Sequence, residues 1–217
     1  MTEPPDTGAL EALLRDALSE SGLELRDRQI QQLAVHFSLL VHWSRKINLT
    51  SLRRPEEIAT RHFGESLFLA KILPLGEGWM VDVGSGAGFP GLPLKVACPA
   101  LQSVLVEPNQ KKAAFLKEVV RSSEMEGVEI RAERLEATVR GDLRGRASLV
   151  TMRALAAGDL LGDLKRLLRP GGQLALFLGE KDAAGLRTAP GFHWDSPVAI
   201  PNSERRVILI GRVAGSG

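Results

Sequence analysis

Residues 81–91 read Val-Asp-Val-Gly-Ser-Gly-Ala-Gly-Phe-Pro-Gly, an apolar run that carries an acid, Asp82, and then four glycines within eight residues. Glycine at that density lets a backbone turn sharply and lets a ligand approach it with no Cβ atoms in the way. Placed directly after an apolar strand, such a turn predicts an α/β fold whose first strand ends at a nucleotide or nucleoside site.

The remainder of the chain has the alternation that this fold needs. Leu10, Leu13, Leu14, Ala17 and Leu18 keep helical spacing after a frayed start over residues 1–6, with Thr7 as candidate N-cap and Gly22 as a stop. Ile30, Leu33, Ala34, Phe37, Leu40 and Val41 repeat the stripe after Asp27, and shorter helices are expected over 55–63 and 64–72. From Trp79 the period changes to strands at 79–83, 103–107, 128–131, 148–151 and 173–178, with helices expected over 90–97, from Asn109, and around Leu160, Leu164, Leu167 and Leu168. Pro90 opens the first of these helices, and Arg169-Pro170-Gly171-Gly172 makes a tight turn into the fifth strand. Segments around 192–200 and 205–213 look like a closing strand pair. The expectation is a seven-stranded, mostly parallel sheet covered on both faces, with a helical cap over 1–75 and the sheet domain over 76–217 in one compact unit.

Composition narrows the setting. A chain of 217 residues can bury one sizeable core. The single Cys98 excludes an internal disulfide framework and points to a reducing, cytoplasmic compartment. No apolar run approaches the roughly 20 residues of a membrane span, and a start bearing Glu3 and Asp6 is no signal peptide, so no membrane partner is expected. With a net charge of only +2, nucleic-acid binding needs a local patch.

The glycine turn fits two templates. Gly86-x-Gly88-x-x-Gly91, with Glu107 ending the second strand, satisfies the dinucleotide fingerprint and would make the chain an NAD-binding oxidoreductase. Asp82, Gly84, Gly86 and Gly88 fill the Asp-x-Gly-x-Gly-x-Gly pattern of class I, Rossmann-like methyltransferases, in which the glycines form a shelf under S-adenosylmethionine. Three features favour the second. Asp82 stands where a carboxylate attracts the cofactor's ammonium, directly or through water, and where a phosphate is unwelcome. The turn at Pro170 resembles the one before strand five of methyltransferases, and a strand pair closes the chain.

The acceptor is narrowed by absences. Thr151-Met152-Arg153-Ala154 replaces the Asn/Asp-Pro-Pro-aromatic motif of amino-methylating enzymes. Methylation of pyrimidine carbon five needs a cysteine nucleophile, and Cys98 lies in the helix after strand one, away from the chemistry. No lysine–acid set for ribose methylation assembles. Guanine N7 is a bare acceptor with no proton to lose, so its methylation needs alignment and neither a general base nor a metal. An arginine bidentate to O6 and N7 would block the reaction. His62 as a base is therefore not expected.

Taken in order, Trp43-Ser44-Arg45-Lys46-Ile47-Asn48-Leu49-Thr50, His62-x-x-Glu65-Ser66-Leu67, Asp82 through Pro93, Val106-Glu107 with Lys111-Lys112 and Phe115-Leu116, Arg131-Ala132-Glu133, and Arg153-Ala154 span nearly the whole chain. With these parts the chain resembles the bacterial small-subunit (16S) ribosomal RNA guanine-N7 methyltransferases, also called glucose-inhibited division protein B. The resemblance implies S-adenosylmethionine as cofactor, held at Gly84 and Phe89 in the turn, at Glu107 on the ribose hydroxyls, and between Ala132 and Glu133 at the adenine. It places Arg153 beside the methyl donor, where an arginine can hold a phosphate, the cofactor carboxylate or Asp82. Departures from the family are Glu65 for Asp, Pro108 for a small residue, Met152 for Ser and Leu178 for Lys. Pro108 removes a backbone donor near the ribose and Leu178 a possible RNA contact.

Arg45, Lys46, Arg53, Arg54, Arg61 and His62 gather before the first strand, and Lys111 and Lys112 open the helix after the second. These cations read as a phosphate-contacting surface leading into the cleft, against the alternative of solvated helix faces. Asn48 and Thr50 shape the connection, with contact of Asn48 to the target base as the alternative, and Trp43 is assigned to the core rather than to base stacking. The expected partner is 16S ribosomal RNA or the small-subunit particle, met by a monomer. A non-catalytic RNA-binding or assembly protein on the same fold is the reading from a different class.

Overall fold

Three helical stretches lead into the sheet in this computed structural model, which describes residues 7–19, 22–153, 157–203 and 205–213. The start expected to fray and Ala154 of the Arg153-Ala154 pair lie outside the described residues. Helix α1 (Thr7–Ser19) buries Leu10, Leu14 and Leu18; α2 (Asp27–Trp43) buries Ile30, Leu33, Phe37 and Leu40, so both expected stripes face inward. Thr7 is the first residue of α1 itself.

The helices expected over 55–63 and 64–72 form one continuous stretch: α3 (Pro55–Ile58), a π-helical turn (Ala59–Gly64) and α4 (Glu65–Ile72). Pro55 starts it with its preset φ, and Gly64 keeps helical angles (φ −57°, ψ −49°) instead of breaking it. The wide turn carries His62 and Phe63 to the sheet.

Strands β1 (Gly78–Val83), β2 (Leu101–Val106), β3 (Val128–Arg131), β4 (Ala147–Met152) and β5 (Leu168–Gly179) run parallel. They alternate with α5 (Gly91–Ala97), α6 (Gln110–Ser122), α7 (Leu135–Arg140) and α8 (Ala157–Leu167). After α9 (Glu180–Leu186) come β6 (His193–Trp194), β7 (Val198–Ala199) and β8 (Arg206–Arg212). The order is β3-β2-β1-β4-β5-β8-β6, with β7 also paired to β8 and β8 antiparallel to β5.

The sheet is therefore seven strands wide, as expected, and the count of eight arises at its outer edge. The segment expected as one strand over 192–200 is two short pieces on β8, with Trp194 opposite Gly211 and Val198 opposite Ile208. Four steps on the edge thus oppose three on β8, and Pro197, which has no N–H, lies in the bulge. The turn at 169–172 is likewise a bulge within β5, because the ladder passes from Ala147↔Leu168 to Leu149↔Gln173.

Side chains alternate along β1: Val81 and Val83 join the core under α7 and α8, while Met80 points to the other face with Phe68 and Leu69 of α4. On that second face the helical cap and the sheet share one apolar cluster. It joins Leu33, Phe37 and Phe63 to Ala87, Phe89 and Leu92 of the turn and to Phe115 and Leu116 of α6.

Candidate active site

The glycine turn is held to the sheet by the Val106 carbonyl, which accepts the N–H groups of Gly84 (2.9 Å) and Ser85 (3.2 Å). Gly84 has φ +69° and is exposed, and a Cβ there would meet nothing within 4 Å. Its backbone is bare toward open space, a cradle that a side chain would fill. Gly86 is similar, its nearest neighbour being the Gly84 carbonyl at 3.8 Å. The other two glycines face the core. At Gly88 (φ +89°) a Cβ would lie 2.6 Å from Leu92 Cδ1, and at Gly91 2.7 Å from Asp82 Oδ2. The dinucleotide reading requires its second glycine, Gly88, to be the point of pyrophosphate approach, and Leu92 and Leu116 fill that space.

Asp82 is fully buried on the face opposite Val81 and Val83. Its Oδ1 accepts the Thr151 hydroxyl at 2.7 Å and its Oδ2 the Gly91 N–H at 3.2 Å. Burial pushes its carboxyl up to about 6, against the pull of the Thr151 hydroxyl. The carboxylate thus anchors β4 and the head of α5 from the buried side of the turn, and of the two routes expected to a cofactor ammonium, direct or through water, the direct one finds Asp82 already occupied by Thr151 and Gly91. Strand alternation sets that side.

Glu107 is buried at the tip of β2, its Oε2 accepting the Gly86 N–H and its Oε1 the Asn109 N–H, both at 2.8 Å. Pro108 lies between Glu107 and Asn109 with no N–H of its own, and the Asn109 N–H is spent on Glu107 itself. The Glu107 N–H donates to the Arg131 carbonyl (3.0 Å), which sets Ala132 and Glu133 beside it at the tip of β3. Glu133 Oε1 accepts the Thr138 hydroxyl at 2.7 Å.

Phe89 turns away from the open side. Its ring is sandwiched between two imidazoles, His36 at 4.8 Å (19°) and His62 at 4.6 Å (16°), with Phe63 edge-on at 5.0 Å. Its N–H donates to the Ser85 carbonyl. The ring is therefore held by the cap and the N–H by the turn. His36 Nε2 bonds the Ala87 carbonyl at 2.8 Å, and His62 Nε2 bonds Thr50 Oγ1 at 2.7 Å. Burial drives His36 down to about 4; burial, and then Arg153, drive His62 down to about 3. His36 was missed in the sequence, although its register with Leu33 and Leu40 on α2 was the available signal.

Arg153, at the end of β4, donates through Nη2 to the Arg61 carbonyl (2.9 Å) and to Glu65 Oε2 (3.1 Å). It makes no hydrogen bond to Asp82, whose carboxylate is taken by Thr151 and Gly91. Glu65 is buried and also bound by Arg206 at the head of β8. Burial pushes the Glu65 carboxyl up while Arg153 and Arg206 pull it down. Nothing local in the sequence marks Arg206.

The basic residues fall into separate groups. Lys46, Asn48, Lys111 and Lys112 meet, with Ile47 and Asn109, around a cavity of about 340 Å³. Arg45 and Arg53 line another of about 450 Å³ with Val41, Ser44, Leu52 and Ile58. Arg54 is exposed, 3.8 Å from Glu56, and Arg61 is exposed on the π-helical turn. Leu178 is buried in the sheet core, so that position makes no surface contact. Trp43 packs edge-on against Phe115 at 5.8 Å, and the Cys98 thiol meets the Leu75 carbonyl at 3.4 Å. Among the described residues no helix is long and apolar enough to cross a membrane.

Residues 29–192 match the GidB family, described as rRNA small subunit methyltransferase G. The ribosomal RNA small subunit methyltransferase G of Stenotrophomonas maltophilia is 34% identical over 97% of this chain and 99% of its own length. That of Chloroflexus aggregans is 36% identical over 96% and 92%. Among solved structures, a SAM dependent methyltransferase from Aquifex aeolicus superposes with a TM-score of 0.60 at 15% identity, covering 74% of this chain and 94% of the other. TYW2 from P. horikoshii, solved in complex with MeSAdo, superposes at 0.57 and 15%, covering 71% and 63%. These two are likenesses of fold alone. Sequence likeness along nearly the whole chain, with a glycine cradle at the carboxyl ends of a parallel sheet, establishes that the chain belongs to the rRNA small subunit methyltransferase G family.

Proposed function

We propose that the chain transfers a methyl group from S-adenosylmethionine to N7 of one guanine in 16S ribosomal RNA. The observation that carries this is the cradle itself: bare backbone at Gly84 and Gly86, bounded by the preset carboxylate of Glu107, in a chain of this family. The cofactor supplies a methyl group on a sulfonium, already activated for attack.

The chain's own residues then have four tasks. Glu107, fixed by two backbone N–H groups, keeps lone pairs for the two ribose hydroxyls. Ala132 and Glu133 border the adenine. Gly84 and Gly86 admit the cofactor against the main chain, with Asp82 holding the turn from beneath through Gly91. Arg153, tied to Glu65, sets a positive charge at the end of β4, available to a phosphate or to the cofactor carboxylate. N7 has no proton to remove, so no side chain need act as base, and His62, driven down to about 3, is neutral at pH 7. What remains is alignment, which the hydrogen-bonded turn and the cap above it supply. The cap over 1–75 and the sheet over 76–217 work as one unit, with Arg45, Lys46, Asn48, Arg53, Arg54, Arg61, Lys111 and Lys112 as the RNA-facing set.

Ribosomal RNA lacking the modification, incubated with the protein and S-adenosylmethionine, should give a primer-extension stop at one guanine after borohydride and aniline cleavage. Only N7-methylguanine becomes such a cleavage site. Tritium transfer from the cofactor without any aniline-sensitive guanine would refute the N7 assignment, and no transfer at all would support a binding protein without turnover.

A further inference from the structure

We propose that the notch between residues 46–48 and the head of α6 holds a single phosphodiester of the RNA, next to the nucleotide presented at the glycine turn; this rests on the RNA-methyltransferase reading above. The notch is a cavity of about 340 Å³ lined by Lys46, Lys111 and Lys112 together with Ile47, Asn48 and Asn109. No carboxylate lines it, and none of its three lysines makes an ion pair among the described residues. Three lysines lining one cavity that no carboxylate lines favour an anion there over a cation.

The helix terminus is not the receptor. Asn109 Oδ1 already accepts the N–H groups of Lys111 (3.0 Å) and Lys112 (3.2 Å), which leaves the side chains as donors. Both walls of the notch are fixed to the turn. On one side the Asn109 N–H is bonded to Glu107. On the other, the 46–48 segment leads to Thr50, which bonds His62, whose ring stacks on Phe89. A phosphate seated here therefore sets the strand's position relative to the cradle.

The cavity of about 320 Å³ lined by Arg26, Arg28 and Lys95 differs in kind. Glu124 and Glu126 share it, and the Lys95 ammonium is spent on the Pro99 and Leu101 carbonyls. Leu101 begins β2, so this cavity lies at the far end of the strands from the turn.

The test is the full chain with Lys46→Gln, Lys111→Gln and Lys112→Gln combined, compared with the parent. Binding of a 16S fragment is measured against salt, S-adenosylhomocysteine binding by calorimetry, and methylation by the aniline assay. If three lysines share one phosphate, the slope of log Kd against log salt falls by about one, and RNA affinity falls about tenfold. S-adenosylhomocysteine affinity stays unchanged, which also reports an intact fold. A slope change near three means separate phosphates, an unchanged slope means no contact, and a loss of S-adenosylhomocysteine affinity makes the notch part of the cofactor site; each overturns the proposal. If the parent itself methylates no guanine, the underlying reading fails instead.

Discussion

Gly84 and Gly88 stand four residues apart in the same turn, both in the left-handed region, yet replacing each by alanine should damage different properties. Left-handed backbone costs an ordinary residue about 1–2 kcal/mol. At Gly84 the added methyl meets nothing within 4 Å, so that is the whole penalty on folding. At Gly88 it would lie 2.6 Å from Leu92 Cδ1 and 3.1 Å from Leu116 Cδ2, in a packed core. Overpacking there adds about 1–3 kcal/mol, giving about 2–5 kcal/mol in all. A domain of this size loses about 2–4 °C of melting temperature per kcal/mol. Gly88→Ala should therefore melt roughly 4–20 °C lower, and Gly84→Ala at most about 8 °C lower. The cofactor results should run the other way. The Gly84 methyl occupies the cradle, so S-adenosylhomocysteine affinity should fall by at least about tenfold, equivalent to ~1.4 kcal/mol. Calorimetry well below both melting points separates the effects, and scanning calorimetry gives the melts. A Gly84→Ala protein that titrates like the parent would refute the cradle. A Gly88→Ala protein that melts no lower than Gly84→Ala would refute the division of labour among the glycines.

Two further outcomes follow from the buried charges. His36 falls from 6.5 to about 4 on folding, so the stability it permits is complete above pH 6.5 and is lost as the pH drops toward 4. Relative to His36→Gln, whose amide can still bond the Ala87 carbonyl, the parent should lose about 3 kcal/mol in urea melts between pH 7 and 4. Asp82 acts oppositely in that range but is common to both proteins, so parallel curves would mean that the buried ring is not penalised. Glu65→Ala leaves Arg153 and Arg206 without their shared carboxylate and should cost about 3–5 kcal/mol. Combined with Arg206→Leu the losses should be non-additive by at least about 1 kcal/mol; additive losses would show that the pair is not coupled.

Much of the fold was legible because it is written locally. The stripes of α1 and α2, the glycine turn and the strand–helix alternation each declare themselves within a dozen residues. Helices α7 and α9 escaped because six or seven residues hold too little periodicity. The site was legible in its parts but not in their orientation. Asp82 could be read as the acid before the turn, but its facing inward depends on strand alternation against Gly91. Phe89 could be read as a turn residue, but the two rings that claim it come from α2 and the π-helical turn. Glu65 and Arg206 are 141 residues apart, and no local pattern links positions joined only by the closing of the sheet.

The break at Pro197 has a consequence for behaviour in concentrated solution. A sheet's outer strand ordinarily presents a row of unsatisfied amides and carbonyls on which another chain can grow. Here that row is cut into two-residue lengths and displaced by a bulge between them. The opposite border, β3, is only four residues long and carries Glu129 and Arg131, the latter locked to Asp142. Neither border offers an uninterrupted template, so the molecule is guarded against polymerising through its own sheet. Restoring a straight, donor-complete edge at position 197 would remove half of that guard.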